Sequence, residues 1–554
     1  MIEMLPDDIL LNIFRHCLGT TPRFWPTLTC VCQRWRQIVH TSPLGLNLHL
    51  YCTHRTPVLK SLDCWLALPI ILHYGGVPNL DPPAPEDDNN IIAALRQSGR
   101  VTSIGLTITS SLLEKLSAIS EPFLELEDLA LISQDNMNPN LLGAFRWGPR
   151  LRTLHLTGVA LSSFPQLLLL SRDLVDLQLY EIPRAGYFSP EAFASALFGM
   201  TQLKTLSLHF LSLPPRRNYL GLPPVLGERS ILPVLRSLKY RGTSKYLDNL
   251  VARIDAPSLE EIDIGFFGQP TIDAVELGRF IERIEVQTFH SRADIKTSAH
   301  AISISLSHSN ASSHLRLQIS CQQLDWQWSY MIQVCNQFSP LLSPVQDLGI
   351  DTTQSSKHDD VGGEQWLELV RSFGGVRNCW FAGEPMADFL YALNQVNSNG
   401  RHTTDTIVLP TLRNLRVKET RSINASFWVA AQYFVLSRWF IRHPVDLQVL
   451  CKICDTGFTE LGSLNKHLVD MHKYRIVCLH CGDFEYRSKR SFRKHLKKKH
   501  FEVPLISSPY SSHYYSSHLL LQLPDVLVNH HDSPSRCASN LVPPSNAVIA
   551  PHSQ

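Results

Sequence analysis

Hydrophobic positions recur through the middle of the chain in a short unit of the form L-x-x-L-x-L. Two copies continue into longer apolar runs, LRTLHLTGVAL and LKTLSLHFLSL. Clear copies begin at Leu126, Leu151, Leu174, Leu203, Leu235, Leu259 and Leu412. Weaker copies begin at Val101, Ile281, Val345 and Val376. The first six clear copies are separated by steps of 25, 23, 29, 32 and 24 residues, which indicates a repeated structural unit.

These steps match or slightly exceed the period of about 20–29 residues that is typical of leucine-rich repeats. Each unit then predicts one short strand and a returning segment, stacked into a curved parallel sheet. The Asn or Cys that normally closes the turn is replaced, for example by Val159, Ile182 and Leu211. We therefore expect an irregular solenoid over residues 91–445. A leucine-rich α/β domain without repeats is the alternative, since the unit carries little information.

Two apolar stripes at helical spacing lie near the N-terminus. A helix is predicted to open at Leu5-Pro6-Asp7-Asp8, because proline suits the first turn and acids suit its positive end. The first stripe comprises Ile9, Leu10, Ile13, Phe14 and Cys17, and the second comprises Leu28, Val31, Cys32, Trp35, Ile38 and Val39. So short a segment cannot bury both stripes alone, so part of this surface must meet another surface.

The same residues, LPDDILLNIF and LTCVCQRWRQIVHTSPL, resemble the F-box over residues 1–48. The resemblance implies a helical face that docks on a Skp-type adaptor of a cullin-RING ubiquitin ligase. The adaptor-binding residues that it implies are Leu5, Pro6, Ile9, Leu10, Ile13 and Phe14. A plain amphipathic helix pair inside a larger α-domain is the alternative interpretation.

Cysteine and histidine occur near the C-terminus at the spacing of zinc ligands. The first cluster has two residues between its cysteines, twelve before its first histidine and four between its histidines; the second has two, thirteen and four. The ligands are Cys451, Cys454, His467 and His472 in the first cluster, and Cys478, Cys481, His495 and His500 in the second. Both clusters at these spacings predict two zinc ions.

This segment resembles the zinc finger with two Cys and two His, a ββα unit, at residues 449–473 and 476–502. Phe458 and Leu464 are the expected core beneath the first metal, and Phe484 and Phe492 beneath the second. The family's base-reading positions fall on Glu460, Ser463 and Lys466, and on Ser488, Ser491 and Lys494. No Arg or Asn stands there to make a bidentate base contact, so sequence-specific DNA reading is not expected.

Charge singles out the same segment. The whole chain has a net charge of only +2, but residues 451–500 carry 12 Lys and Arg against 5 Asp and Glu, a net of +7. A phosphate-attracting face, a nuclear import signal and a solvated helix remain open as explanations. The candidate nucleic-acid contacts are Arg487, Lys489, Arg490, Arg493, Lys494, Lys497 and Lys498.

The remaining segments change the picture less. Residues 80–90 form a Pro/Asp/Asn linker, and the Ser-, His- and Pro-rich residues 505–554 are expected to be a disordered tail. Nine of the 13 cysteines lie outside the zinc clusters without a regular frame, which suits reduced thiols in the cytoplasm or nucleus. No run is long and apolar enough for a membrane span.

The expected fold class is multidomain α/β: F-box helices, a leucine-rich solenoid, ββα fingers and a disordered tail. No G-x-S-x-G, P-loop, G-x-G-x-x-G or H-E-x-x-H motif is present, and both zinc clusters are filled by protein ligands, so we expect no enzyme. The whole resembles the F-box proteins of mushroom-forming fungi. A substrate receptor of an SCF-type ligase that binds a target protein is the leading hypothesis; a nuclear nucleic-acid-binding protein is the alternative.

Overall fold

The structure is a computed structural model of the full chain. It describes residues 5–18, 28–41, 47–53, 58–65, 68–74, 87–116, 121–134, 149–160, 168–169, 171–213, 229–267, 271–284, 291–298, 300–307, 314–320, 324–354, 363–383, 389–393, 408–418, 425–450, 456–459, 463, 467, 476–477 and 485–486. The chain divides into two compact units. One comprises residues 1–417 and 430–447, and the other comprises residues 418–429 and 448–554.

Two helices form the N-terminal region, α1 (Asp7–Leu18) and α2 (Gln33–Thr41). The acids at the start of α1 lie at the positive end of the helix dipole. The backbone N–H of Trp35 donates to Cys32 Sγ at 3.4 Å, ahead of α2. The rings of Phe14 and Trp35 lie 4.7 Å apart and join the two helices. The two apolar stripes of the sequence therefore meet each other, at least in part.

A long sheet follows, and its first nine strands are parallel and in chain order. They are β1 (Leu48–Tyr51), β2 (Ile70–Tyr74), β3 (Val101–Ile108), β4 (Asp128–Ser133), β5 (Thr153–Thr157), β6 (Asp176–Ile182), β7 (Thr205–Phe210), β9 (Ser237–Gly242) and β11 (Glu261–Phe267). Strand β8 (Ser230–Ile231) pairs separately with β10 (Ile254–Asp255). The predicted α/β class with a long parallel sheet is confirmed.

An antiparallel insertion interrupts the second half of the sheet. Its strands are β12 (Arg292–Ser298), β13 (Ala301–Ser307) and β14 (His314–Ser320). β14 lies beside β11, β13 runs antiparallel between β14 and β12, and β12 lies beside β15 (Asp347–Gln354). Parallel pairing then resumes with β16 (Asn378–Ala382), and backbone bonds to Arg377 bring β17 (Asn414–Lys418) alongside.

Each clear leucine unit becomes a strand that begins two residues after its first leucine, and all seven first leucines are buried. The register stacks the second leucine of each unit in one row: Leu129, Leu154, Leu177, Leu206, Leu238 and Ile262. Every member of this row is buried, with at most 5% of its surface exposed. Aligned leucines from neighbouring strands thus form one continuous core, as expected for stacked repeats.

A shared turn precedes the strands. In five units the N–H of the first leucine donates to the carbonyl of the residue three positions earlier, at 3.2–3.4 Å. Those earlier residues are Phe123, Met200, Leu232, Ala256 and Leu409, and all are buried. The two backbone N–H groups that follow the first leucine bond to the preceding unit. After Leu151, for example, the N–H groups of Arg152 and Thr153 both donate to the carbonyl of Glu127, in the unit that begins at Leu126. The turn therefore fixes where each strand begins, and the bonds to Glu127 join one unit to the next.

Helices connect many of the strands and bury one face each. Those described are α3 (Val58–Cys64), α4 (Asp88–Leu95), α5 (Ser110–Leu116), α6 (Pro190–Leu197), α7 (Ser244–Val251), α8 (Val275–Glu282), α9 (Leu324–Gln337), α10 (Ser339–Leu342), α11 (Gly363–Arg371) and α12 (Ala425–Phe440). Helix α6 shows why they begin where they do. Pro190 occupies its first turn, and Ser189 Oγ accepts a hydrogen bond from the N–H of Ala192 at 3.2 Å.

Three sequence expectations differ from the structure. Ile281, the start of a predicted weak repeat, lies in α8 and is buried, because its apolar neighbours recur at helical rather than strand spacing. The sheet begins at Leu48, well before residue 91. The last residues of the predicted linker 80–90 belong to α4, whose start at Asp88 carries an acid at the helix N-terminus.

The described residues of the second unit include two short antiparallel hairpins. In the first, Val449 and Leu450 of β18 (Asp446–Leu450) face Phe458 and Gly457 of β19 (Gly457–Phe458). In the second, β20 (Ile476–Val477) pairs with β21 (Glu485–Tyr486). The expected disordered tail, 505–554, lies outside the described residues. Across the part of the chain that is described, no helix combines the length and apolarity needed to cross a bilayer.

Candidate functional site

Among the described side chains of the apolar stripe on helix α1, two are exposed and two are buried. Leu10 and Phe14 are each only 1% exposed, whereas Ile9 and Ile13 are each 42% exposed. Leu10 and Phe14 therefore pack in the core of the helix pair, and Ile9 and Ile13 are the apolar residues of the predicted adaptor face that are exposed. Ile9 and Ile13 are one turn apart and share a face of the helix. Pro6 is also exposed, and Leu5 is partly buried.

An ion pair fixes the start of α1 against α2. Arg34 Nη2 lies 2.6 Å from Asp7 Oδ1, and Arg34 Nη2 also donates to the carbonyl of Leu5 at 2.5 Å. Both charged side chains are more than a third exposed, so the pair contributes little to stability. The contacts of Arg34 instead hold the first turn of α1, which precedes Ile9 and Ile13, against α2.

The sheet has a second candidate surface, which we call the open face. It consists of the strand side chains that alternate with the buried leucines, and most of them are partly exposed. On β5, β6, β7, β9 and β11 it comprises Thr153, His155, Thr157, Asp176, Gln178, Tyr180, Thr205, Ser207, His209, Ser237, Lys239, Arg241, Glu261, Asp263 and Gly265. Polar and charged residues dominate this list, which suits a surface that meets water or a partner.

Two carboxylates of the open face are already bound by neighbouring donors. Asp176 accepts hydrogen bonds from Gln178 Nε2 at 2.8 and 3.0 Å, and His155 Nε2 lies 3.1 Å from Asp176 Oδ2. Glu261 accepts from Ser237 Oγ at 2.7 Å and pairs with Lys239 Nζ at 3.2 Å. These acids are therefore committed to partners within the sheet.

The electrostatics of Glu261 follow from these contacts. Burial alone would raise its pKa. Hydrogen bonds from Ser237 and Lys239, together with the charges of Lys239 and His314, outweigh burial and lower the pKa. Glu261 is consequently ionised at neutral pH, with donors on several sides.

His209 lies at the centre of the open face. Its ring meets the ring of Tyr180 edge-on, with centroids 4.6 Å apart. Burial is the main cause that lowers the pKa of His209 to about 4; the charges of Arg241 and Lys239 act in the same direction, and the charge of Asp263 opposes them. The imidazole is therefore neutral at pH 7, so the positive charge at this point of the sheet belongs to Arg241 and not to His209.

The aliphatic part of the Arg241 side chain packs against the neighbouring strand β11. Its partner in register is Gly265 on β11, and a Cβ atom at Gly265 would lie 3.2 Å from Arg241 Cγ and 3.7 Å from its Cδ. Glycine thus leaves the space that the arginine stem fills. Arg241 forms no ion pair with any residue that the structure describes. Its guanidinium is a positioned donor group without a carboxylate partner among them.

Two histidines lie side by side on the first two strands, His49 on β1 and His73 on β2. His49 Nδ1 and His73 Nε2 lie 3.4 Å apart, and the ring of Tyr51 stacks on His73 with centroids 5.3 Å apart. Burial lowers the pKa of both histidines, and the proximity of His73 lowers that of His49 further. In such a contact one ring nitrogen donates and the other accepts, so the accepting imidazole is neutral.

In the zinc segment the structure describes parts of both hairpins and one of the predicted ligands, His467. Phe458, at the end of the hairpin, contacts the ring of His467, with centroids 4.8 Å apart. The residues that connect β18 to β19 include Cys451 and Cys454, and those that connect β20 to β21 include Cys478 and Cys481. No group of three or more metal-ligating side chains occurs within the described ranges.

Several predicted site residues lie outside the described residues. They are the zinc ligands Cys451, Cys454, His472, Cys478, Cys481, His495 and His500, and the basic residues Arg487, Lys489, Arg490, Arg493, Lys494, Lys497 and Lys498. Of the predicted base-reading positions, Ser463 is described and is exposed.

The leucine pattern and the sequence motifs did not point to the open-face residues Tyr180, His209 and Arg241. A signal for them was present, because each stands at an alternate position within or beside a leucine unit, where polar residues face away from the core. Which of these polar residues come together could not be read from one unit. It depends on the register between strands.

Comparison with known proteins adds to this picture. Residues 2–47 match the F-box domain family, which covers both N-terminal helices. No curated protein gives a significant match. Among solved structures, the chain is similar to a leucine-rich repeat-containing protein from Legionella pneumophila, with 11% identity and a TM-score of 0.24 over 71% of this chain and 97% of that one. The resemblance of the N-terminal helices to the F-box is thus confirmed: the chain carries an F-box domain at its N-terminus.

Proposed function

We propose that the protein is a substrate-receptor subunit of an SCF-type cullin-RING ubiquitin ligase. The F-box match at residues 2–47 is the observation that carries this proposal, because F-box domains bind Skp-type adaptors in cullin complexes. The exposed pair Ile9 and Ile13 supports it, since apolar side chains in water on an ordered helix favour a protein partner.

The sheet domain is proposed to bind the target protein. Its open face is a broad, ordered array of polar side chains on a rigid scaffold, which suits recognition of another protein. The chain would then contribute no chemistry of its own. It would hold the target near ligase subunits that perform the transfer, so that proximity provides the rate enhancement.

The C-terminal segment is proposed to hold two zinc ions. Its ligands would be Cys451, Cys454, His467 and His472 for one ion, and Cys478, Cys481, His495 and His500 for the other. Two observations support this: hairpins precede the expected helices as in a ββα unit, and Phe458 lies against His467. Bound zinc would organise the segment and would leave no open coordination position for catalysis.

A second candidate function is binding of nucleic acid in the nucleus. The net charge of +7 over residues 451–500 favours it. Phosphate binding by this segment should weaken steeply as salt is raised from about 50 to 200 mM. Absence of binding to DNA or RNA at the lower salt concentration would remove this candidate. For the leading proposal, we further propose that the protein is located in the cytoplasm or nucleus and that it comes from a fungus.

Co-purification with a Skp-type adaptor tests the leading proposal. The double variant Ile9→Asp/Ile13→Asp should lose the adaptor, because it places two charges in the proposed contact. Leu59→Asp is the matched control, since Leu59 is 63% exposed and lies outside the F-box. Equal retention of the adaptor by both variants, or its absence from the wild-type chain, would rule the proposal out.

A further inference from the structure

The open face carries an imbalance of charged partners. Asp176 and Glu261 each have several donors within the sheet, as described above. In contrast, Arg241 and Arg316 form no ion pair with any residue in the described ranges. Arg316 is exposed and stands beside Asp263 in the strand register, as does Lys239 from the other side. Cationic donors are therefore in excess on this part of the face.

Asp263 is the carboxylate that could cancel this excess. It stands between β9 and β14 and acts electrostatically on His209, but it lies beyond ion-pair distance of both arginines. Three cations, Lys239, Arg241 and Arg316, thus surround two acids, Glu261 and Asp263. One of those acids is held by Lys239 at 3.2 Å.

The surroundings of Arg241 prepare it to bind an anion. Its stem lies in the space left by Gly265, so fewer side-chain rotamers are lost when a ligand binds. His209 on the adjacent strand β7 presents a neutral imidazole, and Tyr180 on the next strand, β6, contacts the His209 ring. A guanidinium in this setting offers several N–H donors in the planar arrangement that matches a carboxylate or phosphate group.

We infer that the Tyr180–His209–Arg241 patch of the open face, with Arg316 beside it, binds an acidic side chain of the target polypeptide. Two sources of the same chemistry fit the patch, a carboxylate or a phosphoryl group on the peptide. This inference rests on the proposed function, because it names the chemistry of the target that the sheet domain would capture. An acidic peptide is favoured over nucleic acid because the free cations are few and interspersed with Glu261 and Asp263, which would repel a continuous phosphate backbone.

The test uses the full chain and fluorescein-labelled probes measured by anisotropy. The probes are an oligoglutamate peptide, a peptide whose only charged side chain is one phosphoserine, an oligolysine peptide and a single-stranded oligonucleotide. We expect at least one of the two anionic peptides to bind, and their ratio identifies carboxylate or phosphate as the preferred group. Tighter binding of the oligonucleotide than of either peptide, or binding of no anionic peptide, would overturn the inference.

Variants assign the binding to the patch. Arg241→Ala should weaken peptide binding about ten-fold, the usual effect of losing a charged hydrogen bond. Arg416→Ala is the matched control, because Arg416 is an exposed arginine on β17 of the same sheet. Equal weakening by both variants would mean diffuse electrostatic attraction and would contradict the proposed patch.

A third variant tests the geometry without changing charge. Gly265→Ala should displace the arginine stem and weaken binding less than Arg241→Ala does, because the new Cβ lies 3.2 Å from Arg241 Cγ. Unchanged binding in Gly265→Ala would show that the packing of the Arg241 side chain against Gly265 does not affect binding, and would overturn that part of the inference. Each variant must retain the adaptor and the wild-type unfolding temperature. Loss of the adaptor in the wild-type chain would defeat the proposed function, whereas loss of peptide binding alone would defeat only this inference.

Discussion

In the sheet domain, order comes from many small contributions, whereas in the segment 451–500 it is proposed to come from two metal ions. The sheet aligns leucines such as Leu154, Leu177 and Leu206 in one buried row, each worth about 1.5–3 kcal/mol. The segment offers only a few apolar side chains, Phe458 among them, and structural zinc contributes on the order of 10–16 kcal/mol.

The comparison shows that a motif can identify a binding site without determining the fold around it, and that a repeat can determine a fold without identifying a site. The zinc motif is specific at eight positions and says little about its surroundings. The leucine unit is nonspecific at any one position, yet its repetition determines a sheet of many strands. The two regions should therefore respond to perturbation in different ways: one should lose structure in a single step, and the other should lose stability gradually.

Metal removal should produce the largest effect. We expect the purified chain to contain two zinc ions, measured by elemental analysis. Chelation should greatly increase hydrogen–deuterium exchange in peptides that contain β19 and β20, because the hairpins lose the ions that close them. Peptides from β6 and β7 should not change, because their order comes from burial.

Two cysteine variants refine this prediction. Cys451→Ser should lose one zinc ion, and Cys64→Ser, at an exposed cysteine outside the clusters, should lose none. Fewer than one zinc ion per wild-type chain, or exchange unaffected by chelation, would contradict the proposal that zinc organises this segment.

A core substitution should have the next largest effect, and only in the sheet. Leu206→Ala removes a fully buried side chain and should lower the free energy of unfolding by about 2–5 kcal/mol. Chemical denaturation measures this change. Thr205→Ala, at the neighbouring open-face position, should cost much less. Similar losses in the two variants would mean that the alternation of core and open-face positions is not as described.

Acidification should give a smaller effect through His209. Its folded pKa of about 4 lies below the ordinary value of 6.5, so the unfolded chain binds the proton first as the pH falls. Stability from this residue is complete above pH 6.5 and is lost as the pH falls toward 4, by on the order of 1–3 kcal/mol. His209→Gln should show a shallower loss of stability over this range. A parallel pH profile in the two proteins would contradict the burial of the imidazole.

Asp248 should give the smallest effect, with the opposite sign. Its Oδ1 accepts a hydrogen bond from the N–H of Leu277 at 3.0 Å, and burial raises its pKa to about 6 from 3.8. The folded chain keeps this proton longer, so stability from this group falls as the pH rises from about 4 to 6. Asp248→Asn retains the acceptor oxygen and should gain on the order of 1 kcal/mol over wild type across that range. Thermal unfolding at pH 4 and pH 7 measures the difference, and its absence would show that the carboxyl is well solvated.

The leucine pattern predicted most strands of the sheet for a physical reason. The first leucine of each unit must be buried at the turn, so the strand starts at a fixed distance after it, as at Leu203 and Thr205. Strands β1 and β2 were missed because their apolar residues alternate without the leading L-x-x-L. The order of β12, β13 and β14 could not be predicted, since it depends on which strand edges meet.

The sites were less predictable than the strands. On α1, Ile9 and Leu10 are both apolar, so periodicity alone could not tell which of them faces α2 and which faces water. Packing against Trp35 decides this for Phe14, and that contact is tertiary. On the open face, Arg241 matters because Gly265 lies beside it, and the two residues are 24 positions apart in the sequence.

The central claim is that the F-box domain binds a Skp-type adaptor through the exposed side chains of α1. Calorimetric titration of the purified chain with a purified adaptor tests it most directly. The account predicts saturable one-to-one binding with a negative heat-capacity change, because Ile9 and Ile13 become buried. It also predicts that Ile9→Asp/Ile13→Asp abolishes the heat. A folded wild-type chain that gives no binding heat at several temperatures would contradict the account.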